Sequence, residues 1–328
     1  EISECLVGSE MCIRDRSYCI IMEEISKRCA STGTFITAGA SLVALPLLNF
    51  GTDEQKEKYL KPLAKGEYIG SFGLTEPGAG SDAGAGQTTA VLEGDHYILN
   101  GRKTFITNAP ICDFAIVTAM TEKGKGSRGI SAFIVESKWD GFSTGAHENK
   151  MGIRGTETAD LIFDNVKVPK ENLIGKEGKG FKIALNTLDV GRIGVAAQAL
   201  GIAQGALDEA VKYVKERVQF GRPLAKFQNT QFTIADMETK VQAARWLVYD
   251  AAEKKDNGIN PGVESAMAKY YAAEIANEVA YKALQLHGGY GFMKDYPIER
   301  MYRDARITSI YEGTSQVQQM VIAAKALK

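Results

Sequence analysis

Ser71-Phe-Gly-Leu-Thr-Glu-Pro-Gly-Ala-Gly-Ser-Asp82 is the stretch that decides how this chain folds. An apolar strand runs into a Gly-rich turn carrying Thr75 and Ser81, so hydroxyls and bare backbone N–H groups converge as they do where a phosphate or a flavin edge is held. A plain Gly/Pro turn between two strands accounts for the same residues. Gly78-Ala-Gly-Ser-Asp-Ala83 also fits G-x-G-x-x-A, the dinucleotide fingerprint, but Gly84, Gly86 and a strand follow where that unit needs a helix. A doubly wound Rossmann sheet is therefore excluded.

Outward from this loop the texture is β. Alternating or β-branched runs at 68–74, 87–92, 96–99, 104–107, 114–120, 130–135 and 159–163 are separated by Gly, Asn and Asp. They predict an antiparallel β domain of roughly a hundred residues, with hairpin turns at Glu93-Gly94-Asp95 and Asn100-Gly101. Before it, Ile21, Ile25 and Cys29 recur at helical spacing. A small-residue run from Ala30 to Leu48 follows and closes at Gly51, and a short helix over 53–60 takes Thr52 as N-cap. Residues 1–16 show neither an amphipathic period nor the order of a signal peptide, and read as a leader foreign to the rest.

After Asn172-Leu-Ile-Gly175 the chain turns helical and stays so. Leu200, Ala203, Leu207, Val211 and Val214 mark one helix, which closes at Gly221-Arg222-Pro223. Further helices are expected at 228–256, from Asn260-Pro261 to His287-Gly288-Gly289, and at 315–327. The architecture expected is α+β and multidomain: a leader (1–16), an α-helical segment (17–68), a middle antiparallel β-barrel-like domain (69–175) and a C-terminal four-helix bundle (176–328).

Composition narrows the function classes. With 39 Lys+Arg against 40 Asp+Glu, nothing points to a nucleic-acid or polyanion partner. No wholly apolar run approaches the roughly 18–20 residues of a membrane span. Cys5, Cys12, Cys19, Cys29 and Cys112 contain no C-x-x-C pair, so neither a disulfide framework nor a zinc site is expected and a reducing compartment is the default. His96, His147 and His287 lie too far apart to suggest a metal cluster, and no metal is expected. Near-neutral charge without a targeting segment fits a bacterial cytoplasm, or a mitochondrial matrix in a eukaryote.

Near the end stands Ile310-Tyr-Glu-Gly-Thr-Ser-Gln316. Burial beside Ile310 and Tyr311 would raise the pKa of Glu312 toward neutrality, which suits proton removal from carbon. The bland alternative is an acid before the helix that starts near Ser315, stabilising its positive end.

These motifs, in this order, resemble the acyl-CoA dehydrogenase family over residues 20–328. The 71–82 loop looks like the family's flavin signature, bringing Phe72, Leu74, Thr75, Gly80 and Ser81 to the cofactor, with Ser81 also toward the substrate. Phe105-Ile106-Thr107-Asn108 resembles the segment against the isoalloxazine, with Thr107 near flavin N5. Asp189-Val-Gly-Arg192 matches an element that contacts the acyl-CoA. Arg217-Val-Gln219-Phe220-Gly-Arg-Pro, then Gln228, resembles the segment that reaches the FAD of a neighbouring subunit, as does Gln285-Leu-His-Gly288-Gly289. In Ile310–Gln316 the resemblance makes Glu312 the catalytic base, sets Thr314 and Gln316 at FAD, and brings Tyr311 and Gly313 to the substrate. The wording of Met151-Gly-Ile-Arg-Gly and of 191–210 is most similar to short-chain, butyryl-CoA-dehydrogenase-like members.

The resemblance implies FAD as cofactor and a homotetramer reoxidised by an electron-transferring flavoprotein. The α-proton of a short acyl-CoA goes to Glu312 and the β-hydride to flavin N5, leaving trans-2-enoyl-CoA. Family members begin with more helices than 17–68 can hold, which keeps open a non-catalytic acyl-CoA-binding or oligomerising member. An acyl-CoA oxidase-like enzyme is the other alternative; the short helical tail after Ser315 favours a dehydrogenase.

Overall fold

The computed structural model describes residues 15–328, so all but Asp15 and Arg16 of the expected leader lies outside the described residues. Helices and strands follow in the order α1 (Asp15–Ser26), α2 (Ala30–Phe50), α3 (53–64), β1 (Gly70–Gly73), β2 (Thr89–Glu93), β3 (His96–Thr107), β4 (Phe114–Met120), β5 (Ile130–Glu136), β6 (Phe142–Thr144), β7 (Thr158–Pro169), β8 (Leu173–Ile174), α4 (Gly180–Glu216), β9 (Val218–Gln219), β10 (Arg222–Pro223), α5 (Gln228–Asp256), α6 (Gly262–His287), α7 (Ile298–Ala305) and α8 (Ser315–Ala326). They form two compact units: Phe35–Asn149 with Thr156–Leu188, and residues 15–34 with Lys150–Gly155 and Asp189–Lys328.

In the first unit β1 to β8 share one sheet, in the order β6-β7-β3-β2-β4-β5-β8, with β1 beside β4. Both faces are covered, which is why β4 and β5 are largely apolar, broken only by Thr118, Ser131 and the terminal Glu136. Ala115, Val117, Phe133 and Val135 enter one core with Leu99, Leu161 and Val168. Their neighbours Phe114, Ile116, Ala132 and Ile134 enter another with Val43, Leu47 and Tyr59 of the helices. The strict alternation is the two-residue period of a strand. α3 starts on a capping box: Gln55 N–H donates to Thr52 Oγ1 (3.2 Å), and Gln55 Oε1 accepts from Thr52 N–H (3.1 Å).

Two expectations need correction. The sheet is mixed, because β1 runs parallel to β4 (Gly70 opposite Phe114) and Thr89 bridges Met120 in parallel. Two reversals, at Gly94-Asp95 and between β3 and β4, return the chain to its starting direction and make that pairing available. Gly94-Asp95 does close a hairpin, with Glu93 opposite His96. Asn100-Gly101 instead lies inside β3, where the register against β7 slips between Leu99 and Gly101. Gly101 has φ +147°, and a Cβ there would come within 2.5–2.8 Å of Thr88. The Gly therefore marks a bulge with a close backbone approach rather than a turn.

In the second unit α4, α5, α6 and α8 are the expected helices, with α5 at the expected bounds and α6 ending at His287. α1 packs against α5, where Glu23, 3% exposed, accepts from Arg245 Nη2 (2.7 Å) and Tyr249 Oη (2.8 Å). α7 and the β9/β10 hairpin were not anticipated. The hairpin turns on Phe220 (φ 51°) and Gly221 (φ 75°), two left-handed residues in succession as a tight hairpin requires. One helical run, Ala30–Phe50, is long and apolar enough by length and composition to cross a bilayer; 44% of its most apolar window is buried inside the protein.

Candidate active site

Glu312 sits in the link between a 3-10 turn (Arg306–Ser309) and α8. The cap of α8 is Thr314, whose Oγ1 accepts from Val317 N–H at 3.3 Å, so the helix-end role open to Glu312 in the sequence is filled by another residue. Glu312 and Gly313 both have left-handed backbones, φ 48° and 91°. A non-Gly residue holds that conformation only where its surroundings impose it. Three contacts do so here: Gln318 Nε2 donates to the Glu312 (3.2 Å) and Gly313 (3.0 Å) carbonyls, and Lys269 Nζ donates to the Gly313 carbonyl (2.7 Å).

The Glu312 side chain is half-buried, with Oε2 fully buried and unpartnered among the described residues. Burial pushes its pKa up to about 7, although Lys269 and Arg192 favour the charged form. Its backbone N–H enters no backbone hydrogen bond among the described residues. Alongside, the Tyr311 hydroxyl donates to Gln198 Oε1, and Gln198 Nε2 donates to the Ala30 carbonyl (2.8 Å) and Thr34 Oγ1 (2.7 Å). That fully buried Gln198 fixes the Tyr311 ring. Arg192 is 7% exposed, pairs with Asp189 (2.6 Å) and keeps a buried Nε without a partner among the described residues, so this is no ordinary surface helix pair.

A cleft of about 500 Å³ in the same unit gathers Arg217, Gln219, Gln285, Gly288 and Gly289, together with His287 and Tyr290. Arg217 stacks over the Tyr290 ring at 5.2 Å. His287 stacks on Tyr213 (4.2 Å), donates Nδ1–H to the Ala283 carbonyl (2.8 Å) and leaves Nε2 as a buried, unpartnered acceptor. Burial lowers its pKa, disfavouring the charged ring. Phe220, Gln228 and Gln316 do not line this cleft; they stand exposed, Phe220 at 92%. Thr314 is half-buried in its capping position.

In the first unit the loop after β1 is fastened to β3. Thr104 N–H donates to the Thr75 carbonyl (2.8 Å) and Ser71 Oγ to the Thr107 carbonyl (3.0 Å). Lys103, 1% exposed, reaches the Leu74 carbonyl (3.1 Å) and Glu76 Oε1 (2.7 Å). Burial would raise the Glu76 pKa, but Lys103 and the Gln87 and Thr88 contacts hold it below the usual carboxylate range. Phe72, Leu74 and Thr75 are half-buried here, while Gly80 and Ser81 are exposed on the loop. A register slip between Lys103 and Ile106, with Phe105 at φ 59°, turns the Phe105 ring outward to 67% exposure and sends Ile106 into the core.

Three family models match the chain: the N-terminal, middle and C-terminal domains of acyl-CoA dehydrogenase, over residues 7–67, 71–166 and 178–327. The chain belongs to the acyl-CoA dehydrogenase family. It is an FAD-dependent oxidoreductase acting on CH–CH bonds, and the expected order of helical, β and helical domains is that of the family. It is 60% identical to a 3-(aryl)acrylate reductase of Clostridium sporogenes, over 96% of this chain and 83% of that protein. It is 58% identical to the caffeyl-CoA reductase-Etf complex subunit CarC of Acetobacterium woodii, over 95% and 82%. Among solved structures it is similar to butyryl-CoA dehydrogenase from Megasphaera elsdenii, at 53% identity and TM-score 0.94, covering 95% of this chain and 82% of that one.

The residues present fit the cofactor. The outward Phe105 ring would supply an apolar face, and Asn108 Oδ1 is a buried acceptor without a partner among the described residues, just beyond Thr107. In the second unit Arg217, Gln219, Gln285 and the open Gly288-Gly289 backbone line one cleft with the donors that a diphosphate and its sugars would require.

The sequence did not point to Lys269, Gln198 or Gln318. Lys269 left one legible signal, a cation on the otherwise Ala-rich face of α6 formed by Ala266, Ala268, Ala272, Ala273 and Ala276.

Proposed function

We propose that the chain catalyses α,β-dehydrogenation of a short-chain acyl-CoA of the butyryl type, with Glu312 as base. One observation carries this reading: a carboxylate whose Oε2 is buried and unpartnered among the described residues, on a left-handed backbone, with Lys269 and Arg192 as the cations that act on it. Such a group is basic enough near neutral pH to take the weakly acidic proton next to a thioester. The Glu312 N–H, which has no backbone partner among the described residues, would donate to the thioester oxygen as charge develops there. Tyr311, held by Gln198, gives the acyl chain a fixed wall, and Arg192 with Asp189 meets the thioester's CoA portion. FAD, when bound, accepts the hydride from the β-carbon, so the substrate is oxidised to the trans-2-enoyl thioester and the flavin reduced. Phe72, Leu74, Thr75, Gly80, Ser81, Phe105, Ile106 and Thr107 are proposed to hold the cofactor, Ile106 through its backbone since its side chain is in the core. Arg217, Gln219, Phe220, Gln228, Gln285, Gly288, Gly289, Thr314 and Gln316 complete the set.

The butyryl preference is supported by the likeness to the Megasphaera elsdenii enzyme. An electron-transferring flavoprotein partner is supported by the Acetobacterium woodii relative. Self-association, as the proposed homotetramer requires, is supported by the exposed Phe232 (63%) and Trp246 (75%) of α5. The relative named an acrylate reductase favours a second reading, in which the same groups run in reverse and Glu312 returns a proton to the α-carbon of an enoyl substrate. Anaerobic mixing of dithionite-reduced protein with crotonyl-CoA or with a 3-aryl-acrylate, following flavin reoxidation, separates the two substrate classes.

Glu312→Gln tests the base. The variant keeps FAD and acyl-CoA binding while anaerobic flavin bleaching by butyryl-CoA slows by about 10² to 10⁴, the usual contribution of a general base. Bleaching at a near-normal rate would remove Glu312 from the mechanism.

A further inference from the structure

Lys269 is fully buried on the Ala-rich face of α6 and makes no ion pair among the described residues. A buried cation in that position is costly unless something nearby favours its charge. Two things do: the Gly313 carbonyl at 2.7 Å and, ahead of Glu274, the carboxylate of Glu312. Burial still brings the Lys269 ammonium down to about 8, so its charge and that of Glu312 depend on one another.

We propose that Lys269 is a positioning residue of this reaction: it anchors the 312–313 turn through the Gly313 carbonyl and favours the anionic form of the Glu312 carboxylate. The inference rests on Glu312 being the base. The charged and titratable groups around Glu312 are Lys269 from α6, Arg192 with its partner Asp189 from α4, and Tyr311 beside it; Glu274 of α6 is engaged by Ser315 Oγ (2.6 Å). Arg192 is already paired with Asp189, whereas Lys269 forms no salt bridge among the described residues, and Glu312 comes ahead of Glu274 among the carboxylates that favour its charge. Lys269 is also inaccessible, so it cannot act by touching substrate.

The mechanical and electrostatic parts are separable because Gln318, which is neutral, makes the same kind of contact to the same turn (3.0 Å to Gly313, 3.2 Å to Glu312). Lys269→Met removes anchor and charge; Gln318→Met removes an anchor only. In the FAD-loaded protein, the anaerobic flavin-reduction rate with butyryl-CoA is measured from pH 5.5 to 9.5. For Lys269→Met the midpoint moves up by about one unit, a tenfold deficit on the acid side that closes at high pH, with KM unchanged. Gln318→Met slows the reaction at every pH and leaves the midpoint in place. Lys269→Arg, which restores a cation, returns the midpoint toward that of the wild type. Should Lys269→Met fail to retain FAD, Lys269→Gln carries the same expectation. An unmoved midpoint in the Lys269 variants, or an equal move in Gln318→Met, overturns the proposal. If Glu312→Gln, run in parallel, reduces flavin normally, it is the base assignment that falls; if that variant is inactive and the Lys269 midpoint is unmoved, only the positioning role is lost.

Discussion

Replacing Glu312 by Gln should make the protein more stable in alkaline buffer while it destroys turnover. Burial pushes the Glu312 carboxyl from an ordinary 4.5 up to about 7. A carboxyl whose folded pKa is raised stabilises the fold in its protonated form; that contribution is complete below about 4.5 and lost as pH climbs through about 7. At pH 8 the wild type therefore holds an ionised, half-buried carboxylate that the unfolded chain would solvate freely. A shift of about 2.5 units at about 1.36 kcal/mol per unit sets a ceiling near 3 kcal/mol. Residual solvent at a half-buried side chain reduces this; the net gain expected is about 1–2 kcal/mol. Gln is close to Glu in shape and needs no repacking, so the gain should vanish near pH 5, where Glu312 is already neutral. Urea unfolding of the FAD-loaded proteins at pH 5 and pH 8, followed by flavin fluorescence and far-UV circular dichroism, measures the difference. The same stability offset at both pH values, or a Gln variant weaker at pH 8, would show that Glu312 is not held against its own ionisation.

Two further substitutions probe the frame of the first unit. Lys103→Met leaves the buried Glu76 carboxylate without its cation and frees the Leu74 carbonyl; it should cost about 3–5 kcal/mol and weaken FAD retention. Adding Glu76→Gln should recover the larger part of the stability, and a double variant no better than the single would show that the pair does not act as a unit. Thr52→Ala removes one half of the capping box on α3 and should cost about 1 kcal/mol in urea unfolding, with flavin content unchanged.

What could be read from the sequence, and what could not, follows from how far each interaction reaches along the chain. β4 and β5 are legible because both of their faces are buried, and two short, largely apolar runs, 114–120 and 130–135, separated by the charged and Gly-rich 121–129, leave a pair of strands as the economical reading. The α5 helix is legible because Phe227 and Asn257 bracket a long helical pattern. Asn100-Gly101 misleads because a turn and a bulge ask the same thing of glycine; only Thr88, packed against Gly101 from outside β3, decides between them. β1 misleads in direction because its partner Phe114–Val117 lies beyond two reversals of the chain.

The site divides along the same line. The Ile310–Gln316 heptapeptide contains its own cap, Thr314, and its own carbonyl clamp comes from Gln318 on the next turn of helix, so local reading brings Glu312 within reach as a candidate base. What makes that carboxylate usable comes from elsewhere: Lys269 is 44 residues away along the chain from the carbonyl it holds, and Tyr311 is fixed by Gln198, 113 residues away. Neither partner carries a motif of its own, since a Lys among alanines and a Gln on a long helix are each ordinary in isolation. Their significance arises only where the fold deprives them of water, because a polar group buried in such a place must be satisfied by something specific. In Glu312 that requirement is left half met, with one oxygen unpartnered and the backbone turned left-handed. An unmet hydrogen-bonding group persists in a folded protein at a cost, and a substrate proton is the partner that would complete it.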